Sequence, residues 1–222
     1  MKRIVIVEPT DDGVPTLYLP EMDEHYHSTK GALAEARHVY IEMALRASGK
    51  TNIHLLEVGF GTGLNAFLSL LESQQSRRQI TYTAFELYPL APEVTGELNY
   101  PALVAPACSE LFARLHRCEW DRQVAITPHF TLLKRHADLT RTALTGVYDV
   151  VYFDAFAPEK QPEMWDESIF REIYGHLAPG GILTTYCAKG EIRRRLQSVG
   201  FAVERLPGPP GGKREILRAS KK

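Results

Sequence analysis

The chain alternates between short apolar runs and stretches in which apolar residues recur at helical spacing. NIHLLEVGFGTGLNAFLSLLES opens with an apolar run at 53–58 and passes through a glycine-rich turn. It continues with Leu64, Phe67, Leu68 and Leu71 on one helical face. A nucleotide-binding unit begins with this succession of strand, loop and helix. Upstream, Leu33, Ala36, Tyr40, Met43 and Ala47 share a helical face, and Gly49 is placed to end that helix. Further strands are expected at 81–86, 130–133, 148–154, 182–186, 201–205 and 214–219. YDVVYFD (148–154) is nearly all apolar, as a strand buried on both faces of a parallel sheet should be.

Between these runs, residues 90–120 read as mostly helical, broken at Pro92, Pro101 and Pro106. A later helix is expected to bury Phe170, Ile173, Tyr174 and Leu177, with APGG (178–181) as a turn after it. A short basic helix follows near 191–199, and residues 9–20 read as turns and extended segments. Strands alternating with helices imply an α/β domain with a mostly parallel sheet. No repeat or linker divides the chain. It is therefore read as a single domain over 1–222, with 1–50 an N-terminal extension packed on the core.

Composition adds bounds rather than identity. At 222 residues and 44% hydrophobic, the chain is long enough for a full core. Its net charge of −1 does not advertise a nucleic-acid partner. The charge is uneven, however: residues 189–222 hold ten Lys/Arg against three acids, so the first 188 carry about −8. Three separated cysteines (Cys108, Cys118, Cys187) suit neither a zinc site nor a disulfide framework. The apolar run at 4–7 is too short for a signal peptide or a membrane span, so a cytoplasmic location is expected. His25 and His27 lack a third ligand in the sequence around them, and no metal is expected.

Candidate chemistry centres on EVGFGTGLN (57–65). Gly59, Gly61 and Gly63 allow close backbone approach to a ligand, with Phe60, Thr62 and Asn65 beside them. The spacing is G-x-G-x-G, and Glu57 precedes it by two residues. An acid there does not help a pyrophosphate but suits a ligand with a cationic amino-acid end. Glu86, at the end of the second strand, can accept ribose hydroxyls. Asp138 follows the third strand and Asp154 ends the fourth. Acids at the carboxyl ends of successive strands line the edge where open α/β sheets bind ligands.

EVGFGTGLN, FELYPL (85–90) and YFDAFAPEKQPEMW (152–165) together resemble the methyltransferase domain of MnmC and its stand-alone, MnmD-type relatives. YHSTKGALAEARHVYIE (26–42), APGGILTTYCAKGEIRRRLQSVGF (178–201) and GGKREILRA (211–219) extend the resemblance over roughly residues 16–219. Where that family has an acidic, tyrosine-bearing N-terminal segment, this chain has histidines (DEHYHS). The resemblance implies a Rossmann-like class I methyltransferase fold with a mostly parallel seven-stranded sheet and an antiparallel last strand. It implies S-adenosylmethionine as cofactor, with Asp138 at the adenine amino group. The implied reaction is N-methylation of the aminomethyl group on the wobble uridine of tRNA, 5-aminomethyl-2-thiouridine becoming 5-methylaminomethyl-2-thiouridine. With no flavin oxidase stretch in the chain, a separate flavin-dependent oxidase is the expected pathway partner. Tyr26 and Glu35 are implied to help close the cofactor pocket.

For the chemistry itself, Asp154 can orient the amine and take its proton, or merely cap the following loop. Phe156 and Trp165 can stack on the target base or pack in the core. Lys160, Lys213, Arg214 and the run 193–195 can meet phosphates or stay solvated. A small-molecule amine N-methyltransferase, or an aminopropyltransferase relative, is the competing reading.

Overall fold

The computed structural model describes residues 3–222 and shows two sheets. Strands β1 (Ile6–Pro9), β2 (Pro15–Leu19) and β3 (Glu24–His25) form a small antiparallel sheet, of which only β2 lies wholly within the 9–20 stretch read as turns and extended segments. Its inner face, with Val14 and Leu17, joins the main core. Thr16 Oγ1 then accepts the backbone N–H of His27 at 3.0 Å and steers the chain toward the glycine-rich loop. Helix α1 (Ala32–Ala36) continues through π-helical turns at Arg37–Leu45 and a 3-10 turn at Arg46–Ser48. Its first residue follows Gly31, which has no side chain to cap it. Asp12 supplies the cap from a distance, accepting the N–H groups of Leu33 and Ala34. Gly49 ends the helix in the left-handed conformation, as its position in the sequence suggests.

The main sheet contains β4 (Asn52–Val58), β5 (Gln79–Glu86), β6 (Gln123–Thr127), β7 (Phe130–His136), β8 (Tyr148–Phe153), β9 (Leu177–Thr185), β10 (Ala202–Pro207) and β11 (Glu215–Ser220). Their spatial order is β10-β11-β9-β8-β4-β5-β7-β6. Pairings among β9, β8, β4, β5 and β7 are parallel, whereas β6, β11 and β10 join antiparallel. The fold class is as expected, but the strand count is eight rather than seven. The extra strand, β6, was invisible in the sequence because QVAIT is a short edge strand with little burial. A second difference lies at APGG, which belongs to an irregular start of β9 rather than to a free turn. Leu177 accordingly opens a strand and does not complete the preceding helix.

Helices α2 (Leu64–Ser76), α3 (Pro92–Glu97), α4 (Tyr100–Val104), α5 (Ser109–Arg117), α6 (Glu167–His176) and α7 (Gly190–Val199) cover the sheet. Pro92 and Pro101 sit in the first turns of helices rather than only breaking them, since proline there loses no helical hydrogen bond. Alternate residues of β8 serve opposite faces. Val150 and Tyr152 join the core under α1, α2 and α5, while Val151 and Phe153 join the one under α6 and α7. This two-sided burial is why the strand reads as a continuous apolar run. Successive strands leave β4 in both directions, toward β5 and toward β8. The sheet thus has its topological switch at the carboxyl end of β4.

Candidate active site

A cavity of about 800 Å3 opens at that switch point. Its wall is drawn from loops after β4, β5, β7, β8 and β9, closed by the 24–29 segment and by Lys213, Arg214 and Glu215. The loop after β4 is tied to the neighbouring strand, since Gly59 and Phe60 both donate their N–H to the Phe85 carbonyl at 3.0 and 3.2 Å. Gly59 has φ +91, and a Cβ there would stand 2.7 Å from the Asp154 carbonyl oxygen. Only glycine lets β4 and β8 run this close. Gly61 donates to Glu86 Oε2 at 2.9 Å, while Glu86 Oε1 accepts the Tyr88 N–H at 2.8 Å. An ionised carboxylate has further acceptor positions, so Glu86 can hold the loop and still face the cavity.

Two histidines clamp Thr62 from opposite sides. His27 Nε2 lies 2.7 Å from Thr62 Oγ1, and His116 Nε2 lies 3.1 Å from its carbonyl oxygen. Burial pushes both imidazoles down to about 4, so both are neutral at pH 7. Nothing in the sequence signals this clamp, because the three residues lie on separate elements.

Asp154 follows β8 directly. Its Oδ1 accepts the Tyr40 hydroxyl at 2.6 Å and its Oδ2 accepts Asn65 Nδ2 at 2.8 Å. No backbone N–H of the following loop reaches its side chain, so the loop-capping alternative loses its footing. Burial lifts the carboxyl to about 7, assisted by the charge of Glu35 and opposed by the Tyr40 and Asn65 hydrogen bonds and by Lys213. Asp154 therefore sits poised between acid and base at neutral pH.

The remaining expected residues divide. Gly59, Phe60, Gly61, Thr62, Asn65, Glu86, Asp138, Asp154, Phe156, Lys213 and Arg214 line the cavity, as do Tyr26 and Glu35. Asp138 closes a tight turn by accepting the Thr140 N–H and hydroxyl. Phe156 meets Tyr26 edge-on, with ring centres 5.1 Å apart. Four residues depart from expectation. Glu57 is fully buried and absent from the cavity wall; its side chain points into the core near Tyr82 and Asn65. Among the described residues neither of its oxygens finds a hydrogen-bond partner, and burial first, then Asp154, raise its carboxyl well above the usual range. It lies beneath the site rather than on its wall, so it does not face a cationic ligand in the cavity. Gly63 caps α2 behind the loop, where His116 covers it. Trp165 is also fully buried, packed on Phe153 and Phe170, and its indole N–H holds the Phe156 carbonyl at 2.7 Å. It supports the Asp154 loop and cannot stack on a base. Lys160 lies outside the cavity wall and pairs with Asp23 at 3.7 Å. In the run 193–195, Arg195 donates to the Trp165 carbonyl.

Comparison with known proteins agrees with this arrangement. The MnmC bifunctional protein of Cupriavidus necator, named for tRNA 5-methylaminomethyl-2-thiouridine biosynthesis, is 32% identical over 94% of this chain and 33% of its own. The Marinomonas sp. MnmC protein is likewise 32% identical, over 93% of this chain and 32% of its own. This chain thus spans about a third of the length of these relatives. Among solved structures, MnmC2 from Aquifex aeolicus has a TM-score of 0.76 at 24% identity, covering 100% of this chain and 72% of its own. Spermidine synthase from Thermotoga maritima has a TM-score of 0.55 at 14% identity, covering 99% and 73%. Both likenesses concern the fold. A family described as S-adenosyl-L-methionine-dependent methyltransferase matches residues 112–222, half of the chain, including β7, β8 and the Asp154 loop. This protein belongs to that S-adenosyl-L-methionine-dependent methyltransferase family.

Proposed function

We propose that the protein methylates the aminomethyl nitrogen on the wobble uridine of tRNA, converting 5-aminomethyl-2-thiouridine to 5-methylaminomethyl-2-thiouridine. The observation that carries this reading is the half-buried Asp154 carboxyl on the cavity wall, held by Tyr40 and Asn65 and raised to about 7. The naming of the relatives supplies the tRNA acceptor.

The residues present suit S-adenosylmethionine. The Gly59–Gly61 backbone would let the cofactor approach closely, Glu86 would accept its ribose hydroxyls and Asp138 would meet its adenine amino group; all of these residues line the cavity. When bound, the cofactor supplies an electrophilic methyl group on a sulfonium. The protein must then present a neutral amine in line and keep it there. Moving a proton from an ordinary alkylammonium to an ordinary aspartate is uphill by about 9 kcal/mol at 1.36 kcal/mol per unit. A carboxyl titrating near 7 reduces this to about 5 kcal/mol. Burial of Asp154 thus brings its proton affinity closer to that of the amine, which is what a general base for this substrate requires.

Lys213 and Arg214 on the cavity wall would meet tRNA backbone phosphates, and Phe156 would stack on the target base. A separate flavin-dependent oxidase would free the aminomethyl group, and the reaction would be cytoplasmic. The reading is tested by incubating the protein with radiolabelled S-adenosylmethionine and tRNA lacking this methyl group. Label recovered in 5-methylaminomethyl-2-thiouridine is the expected result. Label appearing only on small amines would replace it with the small-molecule reading.

Glu86→Ala should weaken cofactor binding by roughly 1.5–3 kcal/mol, the worth of hydrogen bonds to a charged group. The loop should suffer too, because the Gly61 N–H loses its acceptor. Calorimetry with S-adenosylhomocysteine checks this. A loss confined to tRNA affinity would move Glu86 out of the cofactor site.

A further inference from the structure

The cavity already contains an ammonium group, that of Lys213. Its Nζ donates to Glu35 Oε2 at 3.1 Å and stands 3.8 Å from the centre of the Tyr186 ring. The groups that receive it are fixed by the framework. Glu35 rises from α1 and its Oε1 accepts the Ser28 N–H at 3.2 Å. Tyr186 follows β9, and its hydroxyl donates to the Ala155 carbonyl at 2.8 Å. The lysine, by contrast, is carried on the turn between β10 and β11. Its side chain is 43% exposed, against 10% for Glu35. A buried carboxylate and an aromatic face converging on one point have the chemistry that recognises ammonium groups. Asp154 lies within electrostatic reach of both Glu35 and Lys213.

We propose that Glu35 and the face of Tyr186 form the docking subsite for the primary ammonium group of the methyl acceptor, and that Lys213 is a tethered occupant which the acceptor displaces. The inference rests on the amine-acceptor reading above. An alkylammonium arrives protonated at neutral pH, and two like charges cannot share this point. The long, flexible lysine stem lets Nζ withdraw toward solvent without moving the turn. The acceptor is then held beside Asp154, which takes its proton. Lys213 also keeps the Glu35 carboxylate paired until the acceptor comes.

NMR titrations with 5-aminomethyluridine and with n-propylammonium chloride, on wild type and variants, test the subsite. Glu35→Gln should weaken both amines by roughly 10- to 100-fold, the value of a charge-assisted hydrogen bond. Tyr186→Leu should weaken them as well, while Tyr186→Phe keeps the ring face and the affinity. Lys213→Met should tighten both amines several-fold, because a competitor is gone. Weaker or unchanged amine binding in Lys213→Met overturns the proposal, as does unchanged binding in a folded Glu35→Gln protein. If Glu35→Gln does not fold, the Tyr186 pair and the direction of the Lys213 effect decide the matter. Propylammonium needs neither tRNA nor methyl transfer. Absence of tRNA methylation therefore sinks the proposed function alone, and weakened amine binding in Lys213→Met sinks the subsite alone.

Discussion

Asp154→Asn is expected to lower the maximal rate of methyl transfer by roughly 10²–10⁴ while cofactor affinity stays within a few-fold. The amide has nearly the shape of the carboxylate and can still accept the Tyr40 hydroxyl. It cannot take a proton. Wild-type activity should fall as pH drops below about 7, where the carboxyl becomes protonated. The defect of the variant should shrink at high pH, where solvent has removed the amine proton.

Stability should move the other way. The folded carboxyl titrates near 7, above its ordinary 3.8, because burial disfavours the charge. Below the ordinary value both states are protonated and nothing is lost. Between 3.8 and about 7 the folded state keeps a proton that the unfolded state has lost, so the cost to the fold grows across that window to about 4 kcal/mol and stays there at higher pH. Asparagine carries no such penalty. The variant should therefore melt higher than wild type at about pH 8 and lose that advantage toward pH 4. A slow variant with a raised alkaline melting temperature is the joint signature to look for. A variant nearly as fast as wild type at pH 7 and less heat-stable would remove Asp154 from the chemistry.

Gly59→Val should abolish cofactor binding and also weaken the fold. The geometry gives a sharper cause than ligand contact alone. With φ +91 and the Asp154 carbonyl 2.7 Å from the position of a Cβ, any side chain strains the backbone and pushes β4 from β8. Strain of about 1–3 kcal/mol and overpacking of about 1–3 kcal/mol both apply. Thermal melting with and without S-adenosylhomocysteine measures the two effects together: a lower midpoint, and no ligand-induced rise. Gly61→Val meets the Tyr26 ring at 3.1 Å instead, a side chain that can yield, so its fold should suffer less. Wild-type affinity in both variants would take this loop out of the binding site.

The order of strands and helices was legible in the sequence because each buried parallel strand leaves an apolar run and each covering helix a period of 3.6. The glycine loop and the acids Glu86, Asp138 and Asp154 were legible for a related reason. Their place at strand ends follows from local sequence, and the strand ends share one edge. Strand β6 was not, since an exposed edge strand needs little hydrophobicity. Direction of the side chain was also beyond the sequence at Glu57, Trp165 and Lys160. One residue of register decides whether a strand-end acid faces a cavity or the core, and Glu57 faces the core while Asp154 opens to the site. The partners that give Asp154 its character were hidden as well. Tyr40 is 114 residues away and Asn65 is 89, so only folding brings them within hydrogen-bond distance. The same holds for Glu35 and Lys213, separated by 178 residues. Sequence alone determined which chemistry the chain could carry. Tertiary structure decided which groups are desolvated and what faces them, and those two conditions set proton affinity and ligand choice.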